Sequence, residues 1–435
     1  MNRFLTILVP LAIAAGATAA ESPKVLPFKV GGTAFLNGMS DNGDWASAEL
    51  QAGETFGLPI TVYNLNTGKP VVYTPQNRKS YTGAASSFVD ESYSVVTDIT
   101  DDGKILVGTI DAQPAYFTTD DLTWHELSMG STTMNRNYLG LVYSTSTDGR
   151  VMCGWGTKGG SMTEFAAFLW IDGQLQTVTG LPTYKDLYDK GIIKDYMFRE
   201  LNGQTPNYSF RQLSGDGKKM IIGIDHNLPG WGCSFLVYDV ESGTYDYILP
   251  DGEAAAGFTN EAYISPNGKW VTGTIIYAYG EYEDINAPYL YNVDTKELQI
   301  FSSATDQQVL ATCVGNDGTI YGGSPGSLPT RRVMIHSGNL WVDLEKALRQ
   351  KYGYNYQEVT GYTLTGYFTA VSADSKRAVA MASMRDDAYA IHMPVDFVEA
   401  VKGVSLLDEF AVSPAAGSTF SRLQEVQIRG CCRGS

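Results

Sequence analysis

Side chains able to react or to hold a metal are few in this 435-residue sequence, and they are scattered. Its four histidines, His125, His226, His336 and His392, lie far apart. No His-Glu-x-x-His or Cys-x-x-Cys pairing gives any of them a second ligand at metal spacing, so neither a metal nor a cofactor is expected. Cys153, Cys233 and Cys313 are separated by 80 residues, yet their contexts (Met-Cys-Gly, Gly-Cys-Ser, Thr-Cys-Val) differ. They read as buried small side chains, and five cysteines are too few for a disulfide framework at this length. No Gly-x-Ser-x-Gly elbow, P-loop or dinucleotide fingerprint occurs. Asp225, Glu281, Glu283 and Asp284 are the carboxylates that a suitable fold could pair as general acid and base.

A second set of residues has the chemistry of recognition. Trp155, His226, Trp231, Tyr277, Tyr279 and Tyr282 fall in long irregular stretches. Exposed indole and phenol rings suit sugar rings or peptides, whereas buried ones simply fill a core. Both readings stand until the elements carrying these residues are known.

Those elements are organised by a repeat. A phrase Ser/Thr-x-Asp/Asn-Gly begins at Ser40, Thr100, Ser146, Ser214 and Ser265, with worn copies at Gly315 and Ser372. The seven copies are spaced by 60, 46, 68, 51, 50 and 57 residues. Asp-Gly and Asn-Gly supply the positive backbone angles of a two-residue hairpin turn, and the upstream hydroxyl can bond to the turn backbone. A small residue follows about five positions later (Gly108, Gly154 and Gly273, for example), as suits a strand crowded by a neighbouring sheet. Next come an aromatic, β-branched strand such as Phe165 to Trp170, a second Asn/Asp turn, and a short closing strand. A four-stranded antiparallel unit repeated in this way predicts an all-β, seven-bladed β-propeller over residues 25–402, with residues 25–31 available to complete the last sheet. Residues 181–208 and 340–352 break the pattern with helical spacing.

The units resemble the degenerate WD40-like propeller repeats of exported bacterial proteins. The third, Ser146-Thr147-Asp148-Gly149-Arg150-Val151-Met152-Cys153-Gly154-Trp155 with Ala166-Ala167-Phe168-Leu169-Trp170, is also similar to extracellular repeats named for a His-Ala-Phe signature. The resemblance implies fold and export, and its motifs carry no catalytic residues. Beyond residue 402, Phe410 to Ser418 and Val426 to Ile428 resemble the opening strands of an Ig-like module found on Bacteroidetes-type surface proteins. Residues 403–435 are therefore read either as a truncated module of that kind or as a disordered tail.

Residues 1–20 have the basic start, apolar run and small-residue cleavage site of a secretory signal. An exported product in the periplasm, at the cell surface or secreted is expected, with no transmembrane segment. The formal net charge of −16 repels phosphate backbones, which argues against nucleic acid as a partner. In a propeller, the loop between a blade's second and third strands and the loop joining two blades open on one face, and these are the long loops here. The expectation is a monomeric, non-catalytic binding propeller taking a glycan, peptide or protein ligand on that face. The competing reading is a polysaccharide hydrolase or lyase using loop carboxylates in the central cleft.

Overall fold

The computed structural model describes residues 22–29, 35–49, 60–77, 94–110, 113–130, 140–157, 165–228, 231–248, 255–279, 283–301, 309–324, 332–337, 340–360, 364, 366–381 and 387–404. Residues 1–21, which include the stretch read above as a secretory signal, and most of the segment after 402 lie outside these residues. Seven four-stranded antiparallel blades form a β-propeller, the fourth and fifth touching through one bridge between Cys233 and Phe258. The innermost strands are Phe35–Met39, Ser94–Ile99, Leu141–Thr145, Asn207–Leu213, Ala255–Ile264, Leu310–Val314 and Tyr367–Val371. Within each blade the remaining strands follow outward in chain order, except in the last. There the outermost strand is Lys24–Lys29, paired with Asp387–His392 from Lys24 opposite His392 to Lys29 opposite Asp387. The N-terminal strand thus closes the ring.

Each repeated phrase joins a blade's first and second strands, but the turn is longer than the sequence implies. Ser146 N–H donates to Val151 O and Gly149 N–H to Ser146 O, enclosing four residues instead of two. Only the glycine enters the left-handed region, with Gly149 at φ 74°. The aspartate serves a different purpose: its Oδ1 accepts from Ser146 Oγ at 2.6 Å and from Arg150 N–H at 3.0 Å. Ser146 Oγ in turn accepts from Val151 N–H at 3.0 Å. The same hydroxyl relay recurs at Ser40, Thr100, Ser214, Ser265 and Ser372. Two demands meet at the glycine, because a β-carbon on Gly149 would also lie 2.5 Å from Ile105 Cδ1 of the preceding blade.

Every innermost strand is bulged, at one place in six blades and at two in the fifth. The skipped residue is Asn37, Thr97, Tyr143, Arg211, Thr312 or Thr369, and the fifth blade has a longer irregularity between Phe258 and Ala262. The bulge explains the small residue in the second strand. A β-carbon on Gly154 would lie 2.0 Å from Leu141 O, so the crowding comes from the inner strand of the same blade and not from a neighbouring sheet. In the sixth blade the crowded residue is Gly322, one place before the Gly323 that the spacing marks.

Apolar burial is divided among the gaps between blades. One cluster joins Val107 of the second blade to Val142, Met152, Phe168 and Trp170 of the third. Another joins Phe235 and Val237 of the fourth to Val271, Ile275 and Tyr289 of the fifth. The helices Tyr184–Asp189 and Asp195–Leu201 form the interblade insertion expected near residue 181, and Tyr184, Leu187, Met197 and Leu201 seal the wedge between the third and fourth blades. In the other irregular stretch, Leu340–Asp343 is the sixth blade's outer strand and only Leu344–Tyr352 is helical.

Two substitutions test this construction. Ser146→Ala removes a buried hydroxyl and leaves the Val151 N–H without its acceptor, so it should lower unfolding free energy by about 1–3 kcal/mol in urea denaturation. Gly154→Ala should cost clearly more, because the obstacle is backbone and cannot rotate away.

Candidate functional site

The inner strands enclose a central channel with a cavity of about 120 Å³. All seven blades line it, among them through Met39, Asp98, Ser144, Gln212, Ile264 and Val371. It also reaches the phrase residues Asp41, Thr147, Gly215 and Pro266, which places it toward the face of the short turns. That face is opposite the one expected to carry recognition.

The lining is held by bonds between successive blades. Asp98, just past its bulge, accepts from Ser144 Oγ and Thr145 N–H of the next blade, each at 3.0 Å, and from its neighbour Ile99 N–H at 2.9 Å. Ser144 Oγ accepts from Leu213 N–H of the fourth blade at 3.3 Å, and Gln212 Oε1 accepts from Ile264 N–H of the fifth at 2.8 Å. Thr97 Oγ1 donates to Val142 O at 2.6 Å. Each polar group therefore does the work of a strand edge, satisfying a backbone group that the bulge or the blade gap leaves exposed. Burial pushes the Asp98 carboxyl up while its three donors pull it back, leaving it at about 6.

Asp41 behaves differently. It leaves the first blade's turn and projects toward the fourth: a β-carbon on Gly215 would lie 1.9 Å from Asp41 Oδ2. Among the seven phrases only the fourth has glycine at the second position, and the carboxylate occupies the space that any side chain would need. Among the described residues no donor bonds to this carboxylate. Its pKa is raised to about 7, first by burial and then by the charges of Asp101, Asp98 and Asp216. Arg211 also lines the channel, its Nε donating to Ser209 Oγ at 2.9 Å and its guanidinium carbon 6.0 Å from the centre of the Phe235 ring. Tyr143 lines it while remaining 46% exposed.

The aromatic residues singled out in the sequence lie mainly on strands. Trp155 is half-buried near the end of Val151–Thr157, opposite Leu141 and Ala167. His226 is part of Lys219–Leu228, and Trp231 begins the next strand opposite Leu228. Tyr277 faces Ala255 and Ile285 in register, Tyr279 faces Glu283, and Tyr282 lies outside the described residues. These stretches are the far ends of long hairpins and not loops, in keeping with β-branched residues such as Thr272, Thr274, Ile275 and Ile276. Of the carboxylates, Asp225 is on the fourth blade opposite Asn207 and Cys233, while Glu283 and Asp284 are on the fifth; Glu281 is outside the described residues.

The other candidates take structural places. His125 stacks on Tyr116 at 4.8 Å, and His336 sits between Phe301 and Trp341. Cys153, Cys233 and Cys313 are buried thiols outside any disulfide, on a second, a third and a first strand of their blades, so their even spacing has no structural counterpart. Burial raises all three thiol pKa values, to about 11 for Cys233. Among the described residues, no three of His, Cys, Asp and Glu are grouped to hold a metal ion.

No protein-family model matches this chain, and no curated protein matches it in sequence. Solved propellers do resemble it. An oligogalacturonate lyase in complex with manganese aligns over 85% of this chain and 90% of its own, with 9% identity and a TM-score of 0.47. The β-propeller domain of the Trilobed protease from Pyrococcus furiosus aligns over 84% and 98%, with 12% identity and a TM-score of 0.45. TolB from Acinetobacter baumannii aligns over 69% and 62%, with 12% identity and a TM-score of 0.38, so this chain spans less than two thirds of that protein. Likenesses of this degree concern architecture and carry no chemistry.

The raised Asp41 and Asp98 values fix a pH dependence. A carboxyl whose folded pKa exceeds its unfolded value stabilises the fold fully below the unfolded pKa, and that contribution is lost as pH rises through the folded value. Stability should therefore fall between about pH 4 and about pH 7. Asp41→Asn should remove part of the fall and raise the melting temperature more at pH 8 than at pH 5, as thermal melts across that range would show.

Proposed function

We propose that this protein is an exported, non-catalytic binding propeller whose ligand is a glycan, a peptide or a partner protein. The observation that carries the reading is the state of the two channel aspartates. Asp98 has its oxygens committed to holding two blades together, which leaves Asp41 as the one channel carboxylate without a donor among the described residues. Acid–base cleavage of a glycosidic bond needs two carboxyls free for separate proton tasks, and this cavity offers one. A rigid lining with an exposed tyrosine, an arginine and a carboxylate is suited to holding a ligand.

The long hairpins of the fourth and fifth blades, with His226, Trp231, Tyr277 and Tyr279, together with Trp155 and Tyr282, are the proposed contacts for an extended ligand on the opposite face. The propeller is proposed to span 25–402 and to act as a monomer. The leader-like residues 1–20 support export, and among the described residues no helix is long and apolar enough to cross a membrane. The repeat resemblance to exported bacterial proteins points the same way.

A glycan array combined with polysaccharide depletion tests the reading on the protein without residues 1–20. Retention of a ligand without release of shorter products is expected. Chain shortening would overturn the non-catalytic assignment.

A further inference from the structure

The turn-side mouth of the channel has a chemistry of its own. Four aspartates come together there from three blades: Asp41 from the first, Asp98 and Asp101 from the second, and Asp216 from the fourth. Three are occupied. Asp98 is held as described above, Asp101 Oδ1 accepts from Asn42 N–H at 2.9 Å, and Asp216 Oδ1 accepts from Ser214 Oγ and Lys218 N–H. Asp41 lines the cavity, is largely enclosed there, and alone of the four takes no side-chain hydrogen bond among the described residues. A carboxylate enclosed beside like charges is costly unless a donor reaches it. The fold nevertheless clears space for it by having glycine at 215, where a side chain would displace it.

We infer that the Asp41 carboxylate is the anchor for one primary ammonium group, presented by a lysine side chain or an amino sugar and entering from the turn face. An ammonium carries several donors on a compact charge, which suits a carboxylate whose lone pairs are all open. The neighbouring Asp98, Asp101 and Asp216 favour the same sign of charge, and Arg211, held on Ser209 and over the Phe235 ring, is the opposing cation in the lining. The limited volume of about 120 Å³ accepts a side-chain end or a single sugar amine and excludes a folded partner. This inference deepens the binding reading and rests on it.

Calorimetric titration with paired probes tests it: N-terminally acetylated hexalysine against the same peptide acetylated at every ε-amine, and glucosamine oligomers against their N-acetylated forms. In each pair only the first carries ammonium groups, and the pair that discriminates identifies the source. Binding of the charged probe should weaken about tenfold or more in Asp41→Asn, and hexalysine binding by wild type should weaken likewise on lowering the pH from 8 to 5.5, where Asp41 is protonated and the lysine ammonium groups stay charged. Asp41→Asn should show little pH dependence, which separates the anchor from the protein's general negative charge. Gly215→Ala, which displaces the carboxylate, should weaken binding similarly, with thermal melts confirming that both variants fold. Equal affinity of wild type and Asp41→Asn for the charged probes, or equal binding of acetylated probes, would overturn the inference. Equal affinity of wild type and Asp41→Asn for the charged probes, together with retention of a neutral glycan on the array, would overturn this anchor while leaving the binding reading intact.

Discussion

The structure depends on a belt of hydrogen bonds that runs from turn to turn around the channel. Ala373 N–H donates to Asp41 O, Asp101 N–H to Thr147 O, Thr147 N–H to Gly215 O, and Gly215 N–H to Pro266 O. Proline cannot donate onward, so Asn267 supplies both its N–H and its side-chain amide to Asn316. Asn316 Nδ2 then reaches Ala373 O, and Asn42 completes the ring by donating to Asp101 Oδ1 and O. All seven junctions are closed. Blades that share only apolar wedges could slide, because the hydrophobic effect is non-directional. The belt fixes their angular register, and with it the position of every channel-facing side chain.

A second tier of bonds lies deeper, at the bulges. Thr312 Oγ1 spans from its bulge to Phe368 O at 2.5 Å, as Thr97 does to Val142 O. The two tiers bracket the cavity, one at the turns and one near mid-strand. The lining is thereby cross-linked between blades at two levels, although the hairpins at the other end vary greatly in length. It also explains the tolerance of worn copies. At Ser375 the left-handed turn position is held by a non-glycine residue at φ 55°, yet Ser372 still makes the full hydroxyl relay and Ala373 still donates to the belt.

The blade count, the strand order within blades and the closure by the N-terminal strand were all legible in the sequence, because each rests on local turn chemistry that repeats. Ser146, Asp148 and Gly149 act within a few residues of one another, so spacing alone reveals them. The bulges were not legible, since Thr97, Tyr143 and Arg211 share no residue type; what they share is a position relative to the turn. The hairpins around His226 and Tyr277 were misread as loops because polar and glycine residues nearby obscure their strand pattern. The channel carboxylate was hidden for a different reason. Asp41 looked like one more turn aspartate, and only the three-dimensional pairing with Gly215 distinguishes it.

That distinction shows where variation is permitted. The belt uses the backbone at the second position of most phrases, and the side chains of Asp101, Thr147 and Asn316 there also bond across to a neighbouring blade, so that Asp41 is the polar side chain at this position with no hydrogen bond among the described residues. The occupants are unlike one another: Asp41, Asp101, Thr147, Gly215, Pro266, Asn316 and Ala373. Positions on either side, the hydroxyl, the Asp/Asn and the glycine, are constrained by the turn and hardly change. The repeat therefore brings Asp41, Thr147, Gly215 and Pro266 to the cavity from four of the seven blades. Asp41 opposite Gly215 is the pair in which this chain departs furthest from a purely structural use of that position.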